Sequence, residues 1–158
     1  MGMPRAHLPH WAAVADHLSQ QLQLLADGAS VTVRAPEQLA RPAKKSGLKR
    51  RLLGTTYQDT PPWIRLERIE DHLVGRCVND HKDLGFPLSP DEKAALLALG
   101  WHEPTLGDGP ELHRWFPDDV PSAAYLPLTD ATAAAALTLR SLREVFAVPD
   151  PSGIVISS

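Results

Sequence analysis

Seven histidines and a single cysteine are the side chains in this sequence whose types could do chemistry. His10 and His17 are about two helical turns apart, so they could share one face of a helix. A zinc site, however, needs three or four ligands that converge at a short spacing. His102-Glu103 followed by His113 is not the H-E-x-x-H pair of a metalloprotease. We therefore expect no metal site and no other cofactor.

Nucleophilic catalysis finds no better support in the sequence. Cys77 lies in a strand-like segment beside Val74 and Val78, where a free cysteine usually behaves as a small apolar residue. A reactive thiolate needs an exposed and electropositive setting, and Arg76 is the one neighbouring residue that would supply positive charge. No serine lies in a G-x-S-x-G elbow, and no glycine-rich phosphate loop has a standard spacing. The sequence therefore predicts a protein that is not an enzyme.

The composition predicts one globular domain over residues 1–158. The chain is 43% hydrophobic and 22% charged, values that are typical of globular domains and unlike those of disordered chains. The single cysteine excludes an internal disulfide framework. We expect neither a secretory signal nor a membrane span, which needs about 20 consecutive apolar residues, and therefore a cytoplasmic protein. The net charge of −3 argues against a general polyanion binder.

Apolar spacing and turn residues outline the elements that must position any site. A stripe of apolar residues with helical spacing predicts a helix from about Pro9 to Asp27. A short β-rich run at 31–33 predicts the first strand. Segments 63–69 and 72–78 have the character of strands and are separated by a turn-compatible break, so we expect an antiparallel hairpin.

The second half of the chain has the clearest local signal. The run 89–92, Ser-Pro-Asp-Glu, is a capping box that predicts a helix ending at Gly100. Segment 112–116 has the character of a strand, and a further apolar stripe predicts a long helix from near Thr129 to about Phe146. The 15 prolines fall mostly at the edges of these segments and mark boundaries rather than disorder. The predicted class is α+β: an N-terminal helix, an antiparallel sheet of about four to five strands, and packing helices that include the long C-terminal one.

One stretch, 41–51, carries six of the 16 basic residues and no acid. We interpret it as the centre of a basic, flexible loop at about 36–60. Such a loop could contact phosphates or an acidic protein, or it could be a solvated segment that protects a sheet edge. The residues that would make a polyanion contact are Lys44, Lys45, Lys49, Arg50 and Arg51. Nucleic-acid binding is the less favoured interpretation, because the stretch has no interleaved aromatic residues for stacking.

Two of the four tryptophans point to a binding surface. Trp63 shares a strand face with Arg65, and Trp115 shares one with His113. Aromatic anchors among polar partners are typical of a peptide-binding surface. The predicted contact residues for a peptide or partner protein are Trp63, Arg65, Arg114 and Trp115. If a helix or a second subunit covers this face, the tryptophans are core residues instead.

The order of motifs from Trp63 to Val148 resembles the actinobacterial branch of the YbjN and type III secretion chaperone-like superfamily. The motifs that carry the resemblance are Cys77-Val78-Asn79, Leu88-Ser89-Pro90-Asp91-Glu92, Leu96-Leu97-Ala98-Leu99-Gly100-Trp101, Pro104, His113-Arg114-Trp115-Phe116-Pro117, and the helix end from Thr138 to Val148. The resemblance implies an α+β fold and non-catalytic binding of a peptide or protein, often by a homodimer. Two features depart from the family: the basic loop looks like an insertion, and Trp63-Ile64-Arg65 replaces the usual Tyr-Val-Gln.

Three hypotheses about function follow from these observations. The leading one is a non-catalytic, chaperone-like module that binds a peptide or protein partner through its sheet face. The alternative is a nucleic-acid or acidic-partner adaptor that uses the basic residues of 41–51. The third is a structural subunit whose partner is a second copy of itself.

Overall fold

The computed structural model describes residues 10–42, 59–70, 72–81, 85–105, 109–116 and 128–158. Asp59, Leu128 and Thr129 are described by their backbone alone. The elements in chain order are α1 (Trp11–Gln23), β1 (Ser30–Arg34), β2 (Arg41–Pro42), β3 (Asp59–Thr60), β4 (Trp63–Ile69), β5 (His72–Cys77), α2 (Pro90–Leu99), β6 (Leu112–Phe116), α3 (Leu128–Arg140) and β7 (Val155–Ser157). The α+β class predicted from the sequence is confirmed.

Five strands form one antiparallel sheet in the order β6-β5-β4-β1-β7. β4 and β5 are the predicted hairpin, and Glu70 at its turn has a positive φ of 55°. The two short strands β2 and β3 pair with each other in a separate ladder. β2 and β3 flank the segment 43–58.

The sheet has an inner face that is buried and an outer face that is partly exposed. In β4, Ile64 and Leu66 are buried, whereas the alternate residues from Trp63 to Ile69 are half-buried. This alternation follows from the two-residue period of a β-strand. Cross-strand register places the buried residues of the neighbouring strands on the same inner face: Val31, Val33, Leu73, Cys77, Leu112 and Phe116.

The three helices contribute their buried side chains to the core on the inner face. α1 packs against α3, and Ala134 and Ala135 of α3 are buried, so the small side chains let the two helices approach closely. α2 begins with the predicted capping box. Ser89 Oγ accepts a hydrogen bond of 3.1 Å from the Glu92 amide, and Glu92 Oε1 accepts one of 3.0 Å from the Ser89 amide.

Trp101, just after α2, connects three elements of the core. Its side chain is only 2% exposed, and its indole N–H donates a hydrogen bond of 2.8 Å to Ser141 Oγ. The ring also lies against Gly75 of β5, where a Cβ would be 3.1 Å from the indole. Glycine at this position therefore makes room for the tryptophan.

The long C-terminal helix predicted to about Phe146 changes its geometry near its end. Residues Ser141–Val145 form a π-helical turn, and the Phe146 amide donates to the Ser141 carbonyl at 3.2 Å. Thr138 Oγ1 and Ser141 Oγ each donate to the carbonyl four residues earlier, at 2.8 and 2.7 Å. Such side-chain bonds compete with the backbone ladder and bend helices, which accounts for the wider turn.

Two predicted boundaries are corrected by the structure. α1 ends at Gln23 rather than near Asp27. The predicted loop at about 36–60 begins with a short 3₁₀ turn at Glu37–Leu39 and has paired residues at both ends, in β2 and β3. The interior of the loop, with Lys44, Lys45, Lys49, Arg50 and Arg51, lies outside the described residues.

We predict that Ser141→Ala destabilises the fold by about 1–3 kcal/mol, because the buried indole N–H of Trp101 loses its acceptor. The measurement is the free energy of unfolding by urea, followed by tryptophan fluorescence. Ser157→Ala, at an exposed position in β7, is the matched control and should change stability by less than about 0.5 kcal/mol. Equal urea midpoints for Ser141→Ala and the control would contradict the role given to this hydrogen bond.

Candidate functional site

The outer face of the sheet is the surface turned away from the helical core. Its residues come from all five strands and include the predicted contact residues Trp63, Arg65 and Trp115. The full set given by the register is Ser30, Thr32, Arg34, Trp63, Arg65, Glu67, Ile69, His72, Val74, Arg76, His113, Trp115, Val155 and Ser157. We call this surface the outer face.

Cross-strand pairing arranges the outer face in rows. Arg65 on β4 lies directly opposite Thr32 on β1 and Arg76 on β5. Arg76 in turn lies opposite His113 on β6. This row of polar and cationic side chains therefore crosses four adjacent strands at the same level.

Aromatic side chains lie on either side of that row. Trp63 is opposite Arg34 on β1, at one end of β4. Trp115 is opposite Val74 on β5, which is opposite Glu67 on β4. Val74 points to the outer face but is only 1% exposed, so its neighbours cover it at this level.

Trp115 is the most exposed of these aromatic groups. Its side chain is 38% exposed, and the His72 ring packs edge-on against it with the ring centroids 5.7 Å apart. Trp63 is half-buried. The outer face therefore keeps one large aromatic ring partly exposed to solvent.

Arg114 lies on the other side of the sheet, so the four predicted contact residues do not form one group. It is opposite Gly75 on the inner face, because neighbouring residues of a strand point to opposite faces. Its guanidinium lies 5.6 Å from the centre of the Phe116 ring. Its Nη1 also lies 3.4 Å from the Gly100 carbonyl and 3.2 Å from His102 Nε2. These contacts hold β6 to the end of α2.

Arg41 has a structural role that the sequence pattern did not reveal. Nη1 and Nη2 donate to the two carboxylate oxygens of Glu92 at 2.7 and 2.6 Å, and Nη1 also donates to the Pro87 carbonyl at 2.9 Å. The guanidinium carbon lies 5.5 Å from the Phe86 ring centre and 5.8 Å from that of Phe146. The first residue of the basic stretch is therefore tied to the start of α2.

Cys77 has no catalytic setting. The thiol is fully buried in the inner face, and this burial raises its pKa far above the ordinary range. A thiol in that state is not a nucleophile, which confirms the interpretation of Cys77 as a small apolar residue. Within the described ranges, no three His, Cys, Asp or Glu side chains converge as a metal site would require. None of the helices in those ranges is long and apolar enough to cross a membrane.

Comparison with protein families identifies the family of the chain. A family model described as "T3SS (YopN, CesT) and YbjN peptide-binding chaperone 3", or TY-Chap3, matches residues 4–158. The chain belongs to the TY-Chap3 family. Comparisons with curated proteins and with solved structures gave no match.

Membership of TY-Chap3 confirms the predicted resemblance to the YbjN and type III secretion chaperone-like superfamily and extends it over nearly the whole chain. The actinobacterial branch stays a prediction. The family's description as peptide-binding chaperones supports non-catalytic protein binding and favours a binding protein over an enzyme. It also implies a protein or peptide partner.

The Arg41–Glu92 pair predicts a dependence of stability on pH in this TY-Chap3 chain. Hydrogen bonds from Arg41 hold the pKa of Glu92 below its ordinary value, although partial burial opposes the shift. A lowered carboxyl pKa stabilises the folded state above the ordinary pKa, and this contribution is lost as the pH falls through the lowered value. We expect Glu92→Gln to reduce stability by about 1–2 kcal/mol at neutral pH, and progressively less below about pH 4.

The measurement is the free energy of urea unfolding from neutral to acidic pH. Glutamine also completes a capping box, so Glu92→Gln removes the charge and keeps the helix cap. Asp91→Asn is the matched control, because Asp91 is an exposed acid in the same turn. A loss for Glu92→Gln that stays constant across this pH range would contradict the role of the ion pair.

Proposed function

We propose that this protein binds an extended segment of a partner polypeptide on the outer face of its sheet, without catalysis. The proposed contact residues are Trp63, Arg65 and Trp115. Arg114 is not one of them, because it lies on the inner face and contacts the end of α2. The observation that carries it is the cross-strand register, which brings two aromatic rings and a cationic row onto the one face that the described helices do not use. Family membership supports a peptide as the ligand.

The residue types on the outer face favour this function. Tryptophan and arginine are the residues that most often dominate binding energy at protein interfaces. The chain buries Trp101 completely in its core but leaves Trp115 at 38% exposure. The Trp115 ring therefore contributes less buried apolar surface to the folded state than the Trp101 ring does.

The alternative function, a polyanion adaptor that uses the basic stretch, has no support from the described residues. Lys44, Lys45, Lys49, Arg50 and Arg51 lie outside them. Arg41 belongs to the same stretch but is engaged with Glu92. Nucleic-acid binding by the basic stretch, homodimer formation and a cytoplasmic location stay predictions.

The test is selection of peptides by the immobilised full chain from a random display library, followed by affinity measurements on the selected sequences. We expect Trp63→Ala and Trp115→Ala each to weaken binding by at least about tenfold, because each removes an aromatic anchor. Circular dichroism and urea unfolding check that the variants fold.

Leu24→Ala is the matched control for loss of an exposed apolar side chain. Leu24 is 85% exposed at the end of α1 and does not belong to the outer face, and its loss should leave the affinity unchanged. Selected peptides whose affinity is the same for the wild type and both tryptophan variants would show that the outer face is not the site.

A further inference from the structure

The outer face carries the opposite charge to the chain as a whole. The sequence has 16 basic and 19 acidic residues and a net charge of −3. Among its described residues, the outer face has three arginines, Arg34, Arg65 and Arg76, and one acid, Glu67. Positive charge is therefore concentrated on the outer face, although the chain as a whole is negative.

The cross-strand register places two of these arginines side by side. Arg65 and Arg76 are direct neighbours on β4 and β5. A positive surface on a chain of net negative charge favours a negative partner, because complementary charge steers the encounter and selects the partner.

Arg65 is the best placed of the three to hold a carboxylate. It lies on β4, the central strand of the sheet, and its side chain is half-buried on the outer face, level with the polar row. A guanidinium in that position can donate to both oxygens of a carboxylate. Arg76 reaches instead towards the segment before β6, where a Cβ at Gly109 would lie 4.0 Å from its Nη1 and 3.1 Å from Glu111 Oε2.

The positions of the charged residues relative to the two tryptophans predict where acidic groups of a ligand would be favoured. Arg34 is opposite Trp63, and Arg65 is two residues from Trp63 along β4. Glu67, the one acid, is level with Trp115. Acidic groups of a ligand are therefore favoured near Trp63 and disfavoured near Trp115.

The spacing of the two rings sets the length of the ligand. Trp115 is two strands away from Trp63 and level with a residue four positions further along β4. With strands about 4.8 Å apart and a rise of about 3.3 Å per residue, the two positions are roughly 16 Å apart. An extended peptide of about five or six residues, whose terminal Cα atoms are about 13 to 16 Å apart, spans that distance with its side chains.

We propose that the ligand of the outer face is an acidic peptide: an extended segment of about five residues with apolar side chains at both ends and carboxylates between them that bind Arg65 and Arg34. This inference rests on the proposed function, since it names the class of peptide that the same face accepts.

The experiment compares three fluorescein-labelled peptides, Leu-Glu-Glu-Gly-Leu and its Gln-Gln and Lys-Lys analogues, by fluorescence anisotropy with the full chain. At low salt we expect the Glu peptide to bind at least about tenfold more tightly than the Gln peptide and the Lys peptide to bind most weakly. The preference should shrink as salt is added, since exposed charges are screened.

Charge reversal identifies the residues responsible. Arg65→Glu and Arg34→Glu should abolish the preference for the Glu peptide, and Arg65→Gln serves if Arg65→Glu does not fold. Arg140→Glu is the matched control, because Arg140 is 60% exposed on α3 and its reversal should leave the preference unchanged. A preference that survives both reversals on the outer face overturns the inference.

The remaining outcomes separate this inference from the proposed function. Trp115-dependent binding with equal affinity for the Glu and Gln peptides overturns the acidic ligand and leaves peptide binding intact. Binding of none of the peptides, together with no selection from the display library, overturns both. A single-stranded oligothymidylate that binds more tightly than the Glu peptide, and loses that affinity in Arg65→Glu, overturns the inference in favour of nucleic acid.

Discussion

The two-residue alternation of an antiparallel sheet with helices on one side is the constraint on which the rest of this structure depends. Every strand residue is assigned either to the core or to the outer face, and a shift of one residue would exchange the two sets. Leu66 and Arg65 are neighbours in sequence, yet one is fully buried and the other belongs to the candidate binding surface. Residues that stabilise the fold and residues of the proposed binding surface therefore occupy alternate positions of the same strands.

The inner face depends on one large side chain and the small residue beneath it. Trp101 fills the space above Gly75, and its only polar atom is satisfied by Ser141. Burial of the indole joins the end of α2, the middle of β5 and the end of α3 in one cluster. Because the apolar ring is buried and its N–H is bonded, the core obtains a large hydrophobic contribution without an unsatisfied donor.

Local signals in the sequence predicted much of this fold, and interactions between distant residues were missed. The Ser89–Glu92 capping box and the β4–β5 hairpin depend on residues close in the chain, so local sequence patterns predict them. The hydrogen bond from Arg41 to Glu92 joins residues 51 positions apart, so no local sequence pattern predicts it. The π-helical turn begins at Ser141, whose hydroxyl also accepts the hydrogen bond from Trp101, 40 residues earlier in the chain. Within the site, the alternation separates Arg114 from Trp115 once the strand register is known.

The pairing of β2 with β3 has a consequence for how this fold can vary. Because Arg41 and Thr60 are cross-strand partners, the two ends of the segment 43–58 are held side by side. The entropic cost of closing a loop between two fixed ends grows only slowly with its length. Inserting residues between these paired ends should therefore cost less free energy than inserting them between two neighbouring strands of the five-stranded sheet.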